Sequence, residues 1–303
     1  MTGATALAAR RAAFESLLRG TDVAARLAAD PVRFPRRYGF ARPEDAEVAA
    51  FLSALLAFGR VNAFAAKLES LLARLGPEPA RSLRDGDPAE FSRGFVYRWV
   101  RPADLARLLR GIRGTLREAG SLGAAFRRAR VAGGEGVRGA LAHFRGALVA
   151  RSGRGAPSRA FENLLPDPAR GSACKRANLF LRWMARPDDG VDLGLWTEFL
   201  PPRELIVPLD THVARIARYA GLTRRRSSDW TTAAEITASL RRVDPEDPVR
   251  YDFALCHLGM SGACPRRRRP DACRACALRP SCRRVPASEK RSVPAREAAS
   301  AAI

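Results

Sequence analysis

Gly171-Ser172-Ala173-Cys174-Lys175-Arg176-Ala177-Asn178-Leu179, followed after an interval by Val207-Pro208-Leu209-Asp210-Thr211-His212-Val213-Ala214-Arg215, decides how this 303-residue chain is read. Small residues around a glycine precede Lys175 to Ala185, where Leu179, Phe180, Trp183 and Met184 recur at helical spacing. Asp210 stands just before a second apolar-periodic run, the place of a helix N-cap, and Pro208 suits a chain entering that helix from an extended segment. The pattern predicts two helices, one beginning at a lysine and one capped by an aspartate.

Of the 53 lysines and arginines only three, Lys67, Lys175 and Lys290, are lysines. Where charge alone is needed this chain uses arginine, so a retained lysine points to chemistry that arginine cannot do. An amine can lose its proton and attack carbon to form a Schiff base; a guanidinium effectively cannot. The plainer alternative is a leftover surface lysine. Asp210 has its plain alternative too, the cap itself. The two roles are compatible, because free amides at a helix N-terminus favour a carboxylate anion, which can stabilise positive charge developing on a sugar ring.

The net charge of +22, with a pI near 11.3, calls for a polyanionic partner, of which nucleic acid is the leading class. The first residues carry no signal-peptide core, and no run approaches the ~18 apolar residues needed to cross a bilayer. A cytoplasmic, nucleoid-associated monomer with no membrane contact is expected. In a reducing compartment, six cysteines suggest ligation rather than disulfides.

Along the chain every periodic segment reads as helix, so the fold class expected is all-α. One or two short helices occupy the first 30 residues, and 31 to 43 reads as a proline-punctuated linker anchored by Phe34, Tyr38 and Phe40. Helices follow over 44–58, from about 62 with Asn62 as its cap, and over 102–118, 137–150 and 158–165, with a loop from Arg127 to Gly136. Thr232 to Glu235 reads as a capping box. Residues 283–303 read as a disordered tail.

Cys264, Cys273, Cys276 and Cys282 have the spacing Cys-x8-Cys-x2-Cys-x5-Cys, which suits zinc or an iron–sulfur group without choosing between them. Cys174 and Cys256 lie outside the set and read as small buried residues. Between the first two ligands, Arg266, Arg267, Arg268 and Arg269 sit between Pro265 and Pro270, a basic projection suited to phosphates.

These residues resemble the helix-hairpin-helix DNA glycosylase superfamily, specifically its endonuclease III branch with a C-terminal iron–sulfur cluster. That family carries a hairpin ending in Lys-Thr-Ala-Asn-Leu, then Val-Asp-Thr-His-Val, then Cys-x6-Cys-x2-Cys-x5-Cys. Here the counterparts are Lys175-Arg176-Ala177-Asn178-Leu179, Leu209-Asp210-Thr211-His212-Val213 and the four cysteines, in the same order over roughly residues 44 to 282. Within it, the likeness is to a bacterial subfamily of unassigned function carrying Gly-Ser-Ala-Cys-Lys-Arg and Pro-Leu-Asp-Thr-His-Val. The departures are a hairpin reduced to one glycine, with Ala173 where a second is usual, and a longer span between Lys175 and Asp210, which is expected to reshape the pocket.

The resemblance implies a two-lobed fold: a helical barrel-like domain over 43–186 with a degenerate hairpin, and a cluster-side domain over 187–282 joined by N-terminal helices from 1–42. It implies a cleft for double-stranded DNA into which a damaged nucleotide is flipped. Lys175 attacks C1′, Asp210 supports departure of the base, and β-elimination nicks the strand. A [4Fe-4S] cluster, with zinc as the alternative, sits on Cys264, Cys273, Cys276 and Cys282. Arg60, Asn62, Gly171, Ser172, Arg176, His212 and Arg266 to Arg269 are the expected DNA contacts. A base-excision glycosylase with abasic-site lyase activity is therefore the first expectation. The alternatives are a glycosylase without lyase activity, a non-catalytic DNA- or RNA-binding protein keeping the fold and cluster, and a zinc-stabilised structural module.

Overall fold

The computed structural model describes residues 3–39, 41–134 and 136–290. Among them there is no strand, only two isolated bridges, and the all-α class holds. No described helix is long and apolar enough to cross a membrane.

Helix α1 (Gly3–Arg19) and short α2 (Val23–Leu27) open the chain. Residues 31–33 and 35–38 form two 3-10 turns packed against α3 (Pro43–Leu56), so this segment is part of the core rather than a linker. Phe34 is fully buried and Tyr38 half-buried, as an anchor requires; Phe40 lies outside the described residues. From Asp45 to Leu56 every residue of α3 is buried. A helix apolar all round belongs at the centre of a bundle, and α4 (Val61–Leu75), α5 (Pro79–Asp85), α8 (Leu122–Ala132) and α11 (Lys175–Ala185) all pack on it. Phe51 of α3 meets Phe180 of α11 edge-on with ring centroids 5.0 Å apart.

Around this axis run α6 (Pro88–Ser92), α7 (Pro102–Ala119), α9 (Gly136–Ala150) and α10 (Arg159–Leu164). Gly111 lets α7 lie against α9: a Cβ there would stand 2.7 Å from the Leu148 carbonyl oxygen. The loop expected at 127–136 is instead mostly the end of α8, because Phe126 and Ala129 need a helix to reach the core. Past α11 come α12 (Thr211–Tyr219), α13 (Trp230–Arg241), α14 (Asp252–Met260), α15 (Pro270–Arg274) and α16 (Ala287–Lys290). Helix α1 packs on α14 and on the turn at 279–281, next to the last cysteine.

Three local readings are corrected. Arg60, not Asn62, is the N-cap of α4, without a side-chain bond. Helix α13 starts two residues before Thr232, because Asp229 accepts the Thr232 amide at 2.8 Å and outcompetes a threonine cap. Disorder does not begin at 283: the Arg283 amide donates to the Tyr219 carbonyl, Val285 is buried, and Glu289 pairs with Arg268. Residues 291–303 lie outside the described residues.

The segment expected to reshape the pocket packs instead on the back of α11. Leu193 and Trp196 amides donate to the Trp183 and Met184 carbonyls, and the Trp196 indole donates to Glu47 of α3 at 2.7 Å. A buried ion network ties it down. Arg182 lies between Asp192 (3.1 Å) and Asp252 (2.7 Å), and Arg186 pairs with Asp192 and with Asp247 (2.9 Å).

Candidate active site

Lys175 is the first residue of α11, and Cys174 before it takes the left-handed conformation (φ 45°, ψ 40°). That turn swings the chain from the 171–173 segment into the helix and leaves Lys175 half-buried at its start. Asn178 latches the turn by donating to the Ala173 carbonyl at 3.0 Å. Gly171, at φ 84°, makes the preceding corner. Its carbonyl accepts the Trp230 amide at 2.9 Å and its own amide donates to Pro168, so both backbone groups of the expected phosphate-binding glycine are used inside the protein. Ser172 bridges to Asp229 and accepts the Cys174 amide on its hydroxyl.

Asp210 caps α12 as its position predicted, with Oδ1 accepting the Val213 amide at 2.7 Å. Its Oδ2 accepts from the Cys256 thiol of α14 at 3.3 Å. Cys256 is therefore not a passive core residue. Burial beside Asp210 and Asp252 pushes its thiol well up, so it stays a donor. Cys174 fits its expectation: it is buried, and burial pushes its thiol up to about 11.

Lys175 and Asp210 border one cavity of ≈ 670 Å³, within the size range of small-molecule sites. Ser172, His212, Asp252, Phe58, Phe64 and Phe253 are also on its wall. Among the described residues no acidic side chain holds Lys175 in an ion pair or hydrogen bond, whereas Arg182 and Arg186 at the far end of the same helix are each paired with a buried aspartate. His212 sits against Gly259 of α14, where a Cβ would come within 2.5 Å of the histidine Cβ; its Nδ1 is buried without a partner. Gly259→Ala is therefore expected to push α12 off α14, lower stability by about 1–3 kcal/mol and displace Asp210. Urea unfolding checks this, and a midpoint equal to that of the parent protein would contradict the close approach.

The remaining expected contacts divide. Arg60 and Asn62 are exposed beside the cavity-lining Phe58, Gly59 and Val61. Arg176 is not free for DNA. It donates to the Leu55 and Asn163 carbonyls and lies over the Phe58 ring at 5.2 Å, and burial lowers it to about 10. Arg266, Arg267 and Arg269 are exposed, but Arg268 pairs with Glu289. Arg224 and Arg226, which no motif marked beyond the run Arg224-Arg225-Arg226, are exposed on the loop that ends at Asp229, the residue bridged to Ser172.

Cys264 and Cys276 are raised by burial, and the other cysteines of the set are close enough to raise them further. Cys264, Cys273, Cys276 and Cys282 thus share one neighbourhood, although no three metal-type donors among the described residues meet round a single point. Half-buried thiols that oppose one another's ionisation, close to Arg215 and Arg284, suit a bound cationic centre that would hold them as thiolates.

A family model described as a protein of unknown function (DUF2400) matches residues 30–261. The chain belongs to that family. The DUF2400 span takes in Lys175, Asp210, Asp252 and Cys256, and stops before Cys264. No curated protein and no solved structure matches the chain.

Proposed function

We propose that this chain is a base-excision DNA glycosylase with abasic-site lyase activity. The observation that carries the proposal is an unpaired Lys175 and a capping Asp210 on the wall of one nucleotide-sized cavity. The Lys175 amine attacks C1′ of a flipped nucleotide while the C1′–N bond breaks toward the base. The Asp210 carboxylate, held by the Val213 amide, offsets the positive charge that builds on the sugar. The departing base takes up a proton; the C1′–O4′ bond then breaks, the ring oxygen takes the amine proton, and the nitrogen is left double-bonded to C1′ as a Schiff base. Exposed Arg60, Arg224, Arg226, Arg266, Arg267 and Arg269 supply phosphate contacts in keeping with a charge of +22.

Cys264, Cys273, Cys276 and Cys282 would hold a [4Fe-4S] group, which serves to stiffen the basic loop between the first two. Expected on purification is a brown protein with iron and sulfide in equal amounts. Cys276→Ser is expected to lose both while α11 and α12 stay folded. Zinc in their place, found by elemental analysis, would contradict the iron–sulfur assignment.

The test of function is borohydride trapping on a duplex carrying an abasic site. A covalent adduct from the parent protein supports the lyase reading. A folded, DNA-binding protein that forms none contradicts it. A non-catalytic binder is the second reading, favoured by one observation: the internal use of both Gly171 backbone groups, which takes away the hairpin's phosphate grip.

A further inference from the structure

Asp252 also stands on this wall, with no motif to mark it. It is the first residue of α14, 3% exposed, and borders the same cavity as Lys175 and Asp210. Its two oxygens differ. Oδ2 accepts from Arg182 at 2.7 Å, whereas Oδ1 is buried with no hydrogen-bond partner. A buried carboxyl oxygen without a partner is costly in a structural ion pair, since pairing is what offsets desolvation. It is what a proton carrier needs, because the free oxygen can hold a proton or take one.

The surroundings set the two acids of the cavity apart. Asp210 lies at a helix N-terminus with an amide and a thiol donating to it. Asp252 faces Arg182 and Lys175 from α11, Asp210 from α12 and Cys256 on its own helix, with Asp192 across Arg182 and the Asp30–His257 pair on the neighbouring wall. Burial is the largest influence and Asp210 adds to it; together they raise Asp252 to about 6 against the pull of Arg182 and Lys175. One carboxyl is tied by an amide and a thiol while the other keeps an oxygen free, so the two acids of this site are fitted to different roles.

We infer that Asp252 is the proton carrier of this cavity, acting on the carbinolamine that Lys175 forms with the aldehyde of an abasic site. This role rests on the lyase reading above. The Lys175 amine adds to C1′, and the aldehyde oxygen becomes a hydroxyl. Asp252 gives its proton to that hydroxyl, the C1′–O bond breaks, water leaves and the C1′=N bond forms. The Asp252 carboxylate then takes the C2′ proton, the C2′–H electron pair becomes the C2′=C3′ bond, and the C3′–O bond breaks with its pair leaving on the 3′ phosphate. Asp252 ends protonated, as it began.

The test is the single-turnover trapping rate on an abasic-site duplex as a function of pH, for the parent protein and Asp252→Asn. Asparagine keeps an acceptor for Arg182 but carries no transferable proton. The parent pH profile is expected to bend near pH 6, where the donor begins to lose its proton. In the variant the rate is expected to be down about 100-fold at that pH and the bend to be absent, with abasic-duplex binding unchanged. A variant that matches the parent in rate and profile overturns the role of Asp252 alone. A parent protein that forms no adduct overturns the lyase reading, and this role with it. Should the variant fail to fold, the parent protein still decides. With three lysines, reductive ¹³C-methylation leaves few signals, and Lys175→Ala assigns the one that matters. That signal is expected to inflect near pH 6 as Asp252 ionises; a flat signal across this range overturns the inference.

Discussion

Replacing Lys175 by alanine is expected to remove the borohydride adduct with abasic DNA, by at least about 1,000-fold, while leaving DNA binding nearly intact. The reason is compositional as well as geometric. Lys67 and Lys290 are the only other lysines, and neither borders the cavity, so no second side-chain amine stands ready to substitute. Lys175→Arg separates charge from nucleophilicity: it keeps a cation at the start of α11 but cannot form the C=N bond, and the adduct is expected to be absent here too. Asp210→Asn should behave differently. Asparagine is also a good N-cap, so α12 stays formed. Abasic DNA has already lost its base, so the adduct is expected to persist while excision of a damaged base stops. An adduct that survives Lys175→Ala would remove the lysine from the mechanism.

Arg182→Met is expected to be the most damaging substitution for stability, by about 3–5 kcal/mol at neutral pH. Arg182 is 2% exposed and lies between Asp192 and Asp252, both buried. Without it two carboxylates face each other's region in low dielectric with only Arg186 left to compensate. The loss has a definite pH dependence. Both acids are already raised by burial, and deleting the cation raises them further. A carboxyl raised in the folded state favours folding below its folded pKa, and that favour is lost as pH rises through it. The variant should therefore come closer to the parent protein at about pH 5 than at about pH 7.5. Urea unfolding at both values checks this. A neutral-pH midpoint equal to the parent's would mean that the network is not what holds the back of α11.

Much was legible in the sequence because it depends on neighbours along the chain. The helix from Lys175 to Ala185, the Asp210 cap and the burial of Phe34 follow from periodicity and side-chain chemistry over a few residues. The scarcity of lysine singled out Lys175 before any geometry was known. Where local signals compete, reading by proximity failed. Asp229 and Thr232 both offer a cap, and the carboxylate prevails because Oδ1 reaches the Thr232 amide.

Other features depend on residues far apart in sequence, and only the tertiary structure decided them. Arg176 was one of the DNA contacts implied by the resemblance, yet it is held by carbonyls 121 and 13 positions away. Cys256 looked inert until α14 brought it to Asp210, 46 positions earlier. Asp252 had no sequence signal, since an acid at the start of a helix is ordinary; what distinguishes it is Arg182 on one oxygen and no partner on the other. Sequence alone determined which residues can cap, ionise, attack or bury themselves, because those properties belong to each side chain and its immediate turn. Which of them share a cavity, and which are consumed in holding the fold together, was decided only when packing set α11, α12 and α14 side by side and burial removed the water that would otherwise have treated every charge alike.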